Sequence, residues 1–437
     1  MNWTKTLILL ALVVTTASAQ NGSSLHWPQW RGPDFNGMAR GDAPTKWSDT
    51  ENIKWKAAIP GRGFSTPVVW GDRIFVTTAV PTGKTGNVSG EARHPNGGAG
   101  ANQEHQFLVM CLDKKTGKTV WQKIAKTTIP HEGYHRMYGS FASNAPTTDG
   151  QYLYVFFGSR GVFCYDLDGK LIWEKDLGVK LQMRNEFGEG TAAVVHGDTL
   201  ILNCDQETDS FIVALDKRSG KQLWRTRRDE ISTWAAPLVV EHAGRKQVIT
   251  NGTNKIRSYD LQSGKLIWEC GGLGLNAIPA PVHHDGIVYA MTGHRDPKLL
   301  AIKLGKEGDL TGTDAIVWSE TRGLSYTPSP VLFEGKFYAL TDNGMLSCFD
   351  AKTGTPYYHR VRLPKPYNFK ASPVGANGKL YLATEEGDVV VVKMGEKFEV
   401  LATNTLTDQV FIASPVILDG EIFLRGQNTL FCVSEKK

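Results

Sequence analysis

Apolar residues along this chain come in short bursts divided by Gly- and Asp-rich turns, at the spacing of β-strands rather than helices. Arg73-Ile74-Phe75-Val76 and Gly286-Ile287-Val288-Tyr289-Ala290 are two such bursts, and each follows the same kind of opening. The opening is a small residue, any residue, Pro, two apolar residues and then a Gly-Asp or similar turn. It reads Ser65-Thr66-Pro67-Val68-Val69 before Gly71-Asp72, and it returns at Pro146, Pro237, Pro281, Pro330, Pro373 and Pro415, with Ala193 in the Pro position of one copy. A second phrase closes the unit. It runs from Leu215-Asp216 through Gly220 to Trp224: strand end, turn, strand. The Asp side chain can bond backbone amides across the turn, and Gly can take the positive φ of a bulged hairpin. The phrase recurs as Asp113, Gly117 and Trp121, and as Asp260, Gly264 and Trp268. It is one residue shorter at Asp166, Gly169 and Trp173, and it has Tyr358 in the Trp slot after Asp350 and Gly354.

Each unit thus reads as a four-stranded antiparallel meander, repeating at roughly 42 to 49 residues where nothing is inserted. There are eight openings, and the last, at Pro415, has only three strands left before the chain ends. Ile53-Lys54-Trp55-Lys56 looks like a Trp strand without a unit. Pairing the two closes a ring and removes the exposed edges of an open array. The expectation is an all-β, eight-bladed β-propeller of four-stranded antiparallel blades, closed by the N-terminal strand on the C-terminal blade. Blades should open near 65, 144, 191, 235, 279, 328, 371 and 413, in one domain over 51–437 behind an extension over 20–50 that shows no strand pattern. Seven blades is the alternative, because 303–312 and 393–397 replace the regular turn in the fifth and seventh units.

Trp121, Trp173, Trp224, Trp268 and Trp318 are expected as wedges between blades, each burying its ring and placing its indole N–H on a neighbouring backbone carbonyl. Cys111, Cys164 and Cys348 stand two residues before the turn Asp or its equivalent, Ala214 and Ser258 hold that slot elsewhere, and Cys432 fits it in the last unit. The slot wants a small buried side chain. Equivalent positions in separate repeats lie too far apart to bridge, so these thiols should be free; Cys204 and Cys270 are left open.

Composition adds limits. The chain has 437 residues, 41 % hydrophobic and 10 % aromatic, enough for a large core. Its net charge of +5 carries no basic run, which argues against a nucleic-acid partner. Lys5, the apolar run 7–14 and Ala17-Ser18-Ala19 before Gln20 read as a signal peptide over 1–19, hence export to the periplasm or the cell exterior. The run is too short to span a bilayer, no other stretch is apolar enough, and no Cys follows it for a lipid anchor.

Strand parity puts the loops between second and third strands, and the links between blades, on one face. Long insertions at 81–106, 123–143 and 176–190 all belong to these classes and should crowd one sector. They carry Glu104, His105, His131, Glu132, His135, Arg184, Glu186 and Glu189; shorter loops add Asp205, Glu207, Asp209, Trp234, His294, Arg295 and Asp296. Converging histidines and carboxylates suit a ligand or metal pocket at the channel mouth. The alternative is a cap held by local ion pairs. No pair has the spacing of metal ligands on a helix face, so no metal is assigned. Phe64, Phe141, Phe187, Tyr326, Phe369 and Phe411 lie just before inner strands and form either an aromatic funnel or cap packing. No Gly-x-Ser-x-Gly, phosphate loop or zinc-spaced Cys pair occurs, so no catalytic residue is assigned. Asn87-Val88-Ser89 and Asn251-Gly252-Thr253 match glycosylation acceptors.

The Asp-x-x-Thr/Ser-Gly-x-x-x-Trp phrase with its Ser-x-Pro opening resembles the pyrroloquinoline-quinone-like (PQQ-like) repeat. That repeat builds the propellers of quinoprotein alcohol dehydrogenases and of the bacterial outer-membrane assembly propeller lipoprotein. Trp27-Pro28-Gln29-Trp30-Arg31-Gly32-Pro33 is similar to the start of exported bacterial members. For the dehydrogenases the resemblance implies PQQ and Ca²⁺ over the channel, an Asp base and adjacent cysteines. This chain has no Cys-Cys pair and lacks those enzymes' long insertions, so no Asp base is carried over. The residues read as an exported, non-catalytic, monomeric propeller that binds a protein partner or small ligand at the channel mouth. A PQQ/Ca-dependent dehydrogenase and an envelope or outer-membrane protein assembly scaffold are the alternatives.

Overall fold

The computed structural model describes residues 26–86 and 92–435; the leader and the Asn87 acceptor lie outside them. The described residues form eight antiparallel sheets arranged as a closed propeller. The first blade contains Val68–Trp70, Arg73–Thr85, Gln103–Asp113 and Thr119–Thr128. The following blades begin at Thr147, Val194, Leu238, Val282, Val331, Val374 and Val416, each three residues past the position where the sequence opens it. The eighth consists of Val416–Leu418, Glu421–Arg425 and Thr429–Ser434 completed by Ile53–Ala58, with Trp55 opposite Cys432 and Ala57 opposite Leu430. The count is eight, not seven. The strands of the first blade are longer than their counterparts, so residues 123–128 are sheet and the link to the second blade begins only at 129.

The repeat phrase works through cross-strand pairing. Trp121, Trp173 and Trp224 face Cys111, Cys164 and Ala214 across the outer pair of strands. A small residue in that slot leaves room for the indole, which then reaches the next blade. Trp55, Trp121, Trp173 and Trp224 donate to the carbonyls of Lys114, Leu167, Lys217 and Leu261 at 3.0 Å, and Trp318 to that of Ala351 at 2.8 Å. Each ring lies on the turn glycine of that next blade: a Cβ on Gly220 would sit 2.7 Å from Trp173, and φ there is +69°. Asp216 organises the turn, its Oδ1 accepting from the Ser219 amide at 2.9 Å and hydroxyl at 2.6 Å.

Trp268 departs from the expectation. Its indole donates to Gln247 Oε1 of its own blade at 2.9 Å. The fifth blade has no Asp-to-Gly turn to receive it. Instead Gly308–Asp309 folds back and pairs parallel with Trp268 and Glu269. All six cysteines are buried and free, Cys204 and Cys270 included, and burial pushes the Cys111 and Cys348 thiols up to about 12.

Around the channel, the residue directly before the opening Pro links neighbouring blades. The Ala280, Ser329 and Ser372 amides donate to the hydroxyls of Ser329, Ser372 and Ser414, and the Ser414 amide to Thr66 Oγ1. The extension, read from sequence as lacking strands, contributes one to this centre: His26–Trp27 pairs with Val69–Trp70 on the inner edge of the first blade. From there it crosses the channel. Pro28 O accepts from the Thr148 amide, and Met38 bridges to Gly375. Arg31, wholly buried, donates to Pro373 O at 3.0 Å and Pro330 O at 2.7 Å. With only carbonyls for partners, desolvation pulls its guanidinium down to about 9. Gly37 must be Gly, since a Cβ there would lie 2.0 Å from Arg31 Nη2. Among the described residues no helix is long and apolar enough to cross a membrane.

Candidate functional site

The three insertions do share a sector, and backbone bonds stitch them together. Ala99 and Tyr134 exchange amide–carbonyl bonds, Gly98 N–H donates to Glu186 O, and His135 N–H to Phe187 O. Arg93 joins Glu132 and Glu186. Most of the predicted polar residues are spent on this cap. His105 is buried, with Nδ1 2.8 Å from Gln103 O and its ring edge-on to Phe141. His131 Nε2 meets Leu181 O at 2.8 Å, and burial lowers its pKa. Glu132 accepts from the Met183 amide at 2.8 Å, and desolvation raises its pKa. Glu104 accepts from the Thr82 hydroxyl at 2.9 Å. Arg184 is positioned through its backbone, whose N–H donates to Ser232 Oγ at 2.9 Å. Arg295 is exposed, at φ +37°.

Inside the cap, at the channel mouth, is a cup of about 190 Å³. Trp30, from the extension, lines it and donates its indole N–H to Ser414 Oγ at 3.4 Å. Of the predicted residues, His135, Glu189 and Trp234 line it. His294 stacks at 4.5 Å behind Tyr326, which is itself a lining residue. Phe64 and Phe187 also face the cup, whereas Phe141, Phe369 and Phe411 are buried in packing. The aromatic funnel and the cap packing are therefore both present, divided among the same set of rings.

The lining has a period that sequence reasoning missed. The residue three before each opening Pro (or Ala193) reaches the cup in every blade: Phe64, Ser143, Gly190, Trp234, Ile278, Thr327, Lys370 and Ile412. This register is legible in the chain once the openings are aligned. Tyr138, from the first inter-blade link, and Trp30 follow no repeat and carry no such signal.

Every charge on the lining is matched. Glu189 accepts from Arg160 Nη1 and the Ser159 amide, both at 2.5 Å, with the two side chains only 8 % and 5 % exposed. Lys370 lies between Glu385 at 3.0 Å and Asp342 at 3.4 Å; burial opposes its charge, yet the two carboxylates raise its pKa. His135 stacks on Tyr138 at 3.6 Å, and burial, with nearby His94, Lys370 and Arg62, drives its pKa down to about 4. The cup at neutral pH is thus aromatic and apolar, with hydroxyls and a neutral imidazole. These residues do not fit PQQ with Ca²⁺. An anionic polycarboxylate needs uncommitted cations, and Lys370 is already shared by two carboxylates. Among the described residues no group of three or more His, Cys, Asp or Glu is placed to hold a metal ion.

Comparisons with known proteins agree with this architecture. A family model described as "Outer membrane protein assembly factor BamB" matches residues 105–294. The chain is 21 % identical to the outer membrane protein assembly factor BamB of Yersinia pestis over 344 residues, 74 % of this chain and 79 % of that one. The crystal structure of BamB from Moraxella catarrhalis superposes with a TM-score of 0.56 at 14 % identity, over 82 % of this chain and 98 % of that chain. The quinohemoprotein alcohol dehydrogenase of Comamonas testosteroni superposes with a TM-score of 0.64 at 12 % identity, over 96 % of this chain and 82 % of that chain. At these identities the structural likeness speaks to the fold alone.

Proposed function

Because the chain is a PQQ-like repeat β-propeller, we propose that it is an exported, non-catalytic binding protein whose small ligand seats in the cup over Trp30. The observation that carries this reading is the convergence of one residue from every blade on an aromatic-lined cup at the channel mouth. Apolar walls with a few placed polar groups are the ordinary make-up of a small-molecule site. The predicted residues sort accordingly: His135, Glu189 and Trp234 belong to the seat, with His294 behind it. Glu104, His105, His131, Glu132 and Glu186 hold the cap, while Arg184 and Arg295 sit on its periphery.

A thermal-shift screen of the purified chain against neutral and charged small metabolites tests this. Hits should raise the melting temperature of the wild type and lose their effect in Trp234→Ala. A screen without a single Trp234-dependent hit overturns the reading.

The match to an outer-membrane assembly factor supports a second reading, a partner-binding scaffold in the bacterial envelope. Met137, 66 % exposed on the cap, is the most exposed large apolar side chain of the first inter-blade link among the described residues. Deleting the gene and restoring it as wild type, Trp234→Ala or Met137→Glu separates the two. An envelope permeability defect rescued by Trp234→Ala but not by Met137→Glu favours the scaffold; the reverse favours the ligand seat.

A further inference from the structure

The cup's ligand class can be narrowed, on the premise that the cup is the seat. We infer that it takes a neutral, hydroxylated six-membered ring: a hexose, free or as the terminal unit of a neutral oligosaccharide. Three features of the lining lead there. First, the cations at the lining are already committed, Lys370 to Glu385 and Asp342 and Arg160 to Glu189. A carboxylate or phosphate entering the cup would be stripped of water without a cation to meet it, and that is costly. Second, three large aromatic rings belong to the lining. Trp30, Trp234 and Tyr326 all line the cup, and all three remain partly exposed. Aromatic faces of this kind pack against the C–H face of a sugar ring while leaving its hydroxyls at the edges. Third, hydrogen-bonding groups with spare capacity belong to the lining. The Tyr138 hydroxyl has no protein partner among the described residues. Tyr326 accepts from Asn276 Nδ2 at 3.2 Å, which leaves its own proton to donate. A wholly apolar ligand would strand these groups, whereas ring hydroxyls satisfy them. Size agrees: about 190 Å³ falls below the ~300 Å³ lower bound for drug-sized ligands, so the cup suits a single ring, with any further units outside it.

The test is titration of the full exported chain, followed by intrinsic tryptophan fluorescence and calorimetry. The probes are glucose, galactose, mannose, N-acetylglucosamine and their disaccharides, with glucuronate and galacturonate as matched anions and benzene tetracarboxylate as a flat polyanion. A neutral sugar is expected to bind at least about tenfold more tightly than its uronate. Trp234→Ala should weaken it by roughly 30-fold, the scale of a central aromatic anchor. Tyr138→Phe, which keeps the ring and removes only the hydroxyl, should cost about fivefold. It guards against a Trp234 variant that fails to fold. Trp234-dependent binding of the polyanion or a uronate, with no neutral sugar bound, overturns the sugar assignment while leaving the cup as a seat. If none of the probes binds and the metabolite screen is also silent, both readings fall.

Discussion

Replacing Trp55 tests the closure of the ring and the wedge geometry together. Trp55 is 9 % exposed, lies opposite Cys432 in the seam, and donates its indole N–H to Lys114 O of the first blade at 3.0 Å. Trp55→Ala empties a site that cannot collapse, because Gly117 already presses so close that a Cβ on it would be 2.6 Å from the ring. Lost transfer and the residual cavity cost about 3–5 kcal/mol for a buried Trp. Within that sum, about 1 kcal/mol is the hydrogen bond and the unsatisfied carbonyl left behind. Trp55→Phe keeps most of the ring and loses the N–H, so it should cost about 1–2 kcal/mol. Urea unfolding followed by circular dichroism measures both. At ~2.1 cal/mol/K per residue, a chain of this length melts about 4 °C lower for a loss of ~4 kcal/mol. Trp224→Ala is the comparison, since its indole makes the same 3.0 Å bond, to Leu261 O, in a blade built from one continuous stretch. The equilibrium costs should match. Amide exchange should not: Trp55→Ala should deprotect Ile53–Ala58 and Thr429–Ser434 ahead of the other blades, because that sheet alone joins the two ends of the chain. A cost below ~1 kcal/mol, or unchanged exchange in the seam, would refute the account of closure.

Asp205→Ala should destabilise by about 3–5 kcal/mol in urea, because Arg228, fully buried, loses contacts at 2.7 and 3.1 Å and keeps only Thr250 and Tyr259; the double variant Asp205→Ala/Arg228→Met should recover most of that loss. His135, with its folded pKa near 4, resists a proton that the unfolded chain takes up at about 6.5, so stability is lost as pH falls from ~6.5 towards ~4 and levels off below. His135→Gln should shrink the stability difference between pH 7 and pH ~4.5 by about 2 kcal/mol, read from urea midpoints; an unchanged difference would exclude His135 as the source. The six buried thiols should ignore a thiol reagent in native buffer and react together on denaturation, and stoichiometric labelling of folded protein would contradict their burial.

How much of this was readable in the chain depends on whether a residue's role repeats. Blade number, strand order and the closing strand were legible because the opening recurs eight times in phase with a turn phrase such as Asp216, Gly220 and Trp224, and weak signals in phase make a strong one. Trp268 broke the pattern for a reason also present in the sequence: the fifth unit lacks the turn that would have received its indole. The extension was illegible because its strand is a two-residue piece paired with Val69–Trp70, about 40 residues further along, and Arg31 reads as a surface charge until its carbonyl partners, some 300 residues away, are known.

The site was half legible for a related reason. Histidines and carboxylates in long loops announce polar chemistry, but Glu132, His131 and Glu189 answer the needs of loops folded over one another, where buried amides, carbonyls and Arg160 must find partners. The seat itself is made mainly of uncharged residues: Phe64 and Trp234, which the sequence marks as aromatics before inner strands, and Ile278 and Ile412, which it does not mark at all. Their common feature is position, three before each blade's opening Pro, where the chain turns from the link into the innermost strand. At that point the side chain contributes to neither the ladder of its own sheet nor the Trp wedges at the rim. Eight such positions can therefore vary in chemistry while Asp216, Gly220 and Trp224, with their counterparts, hold the ring. The separation of fold from function is here a separation of registers within one repeat: the turn and Trp positions hold the blades together, and the position before the inner strand determines what the channel mouth can bind.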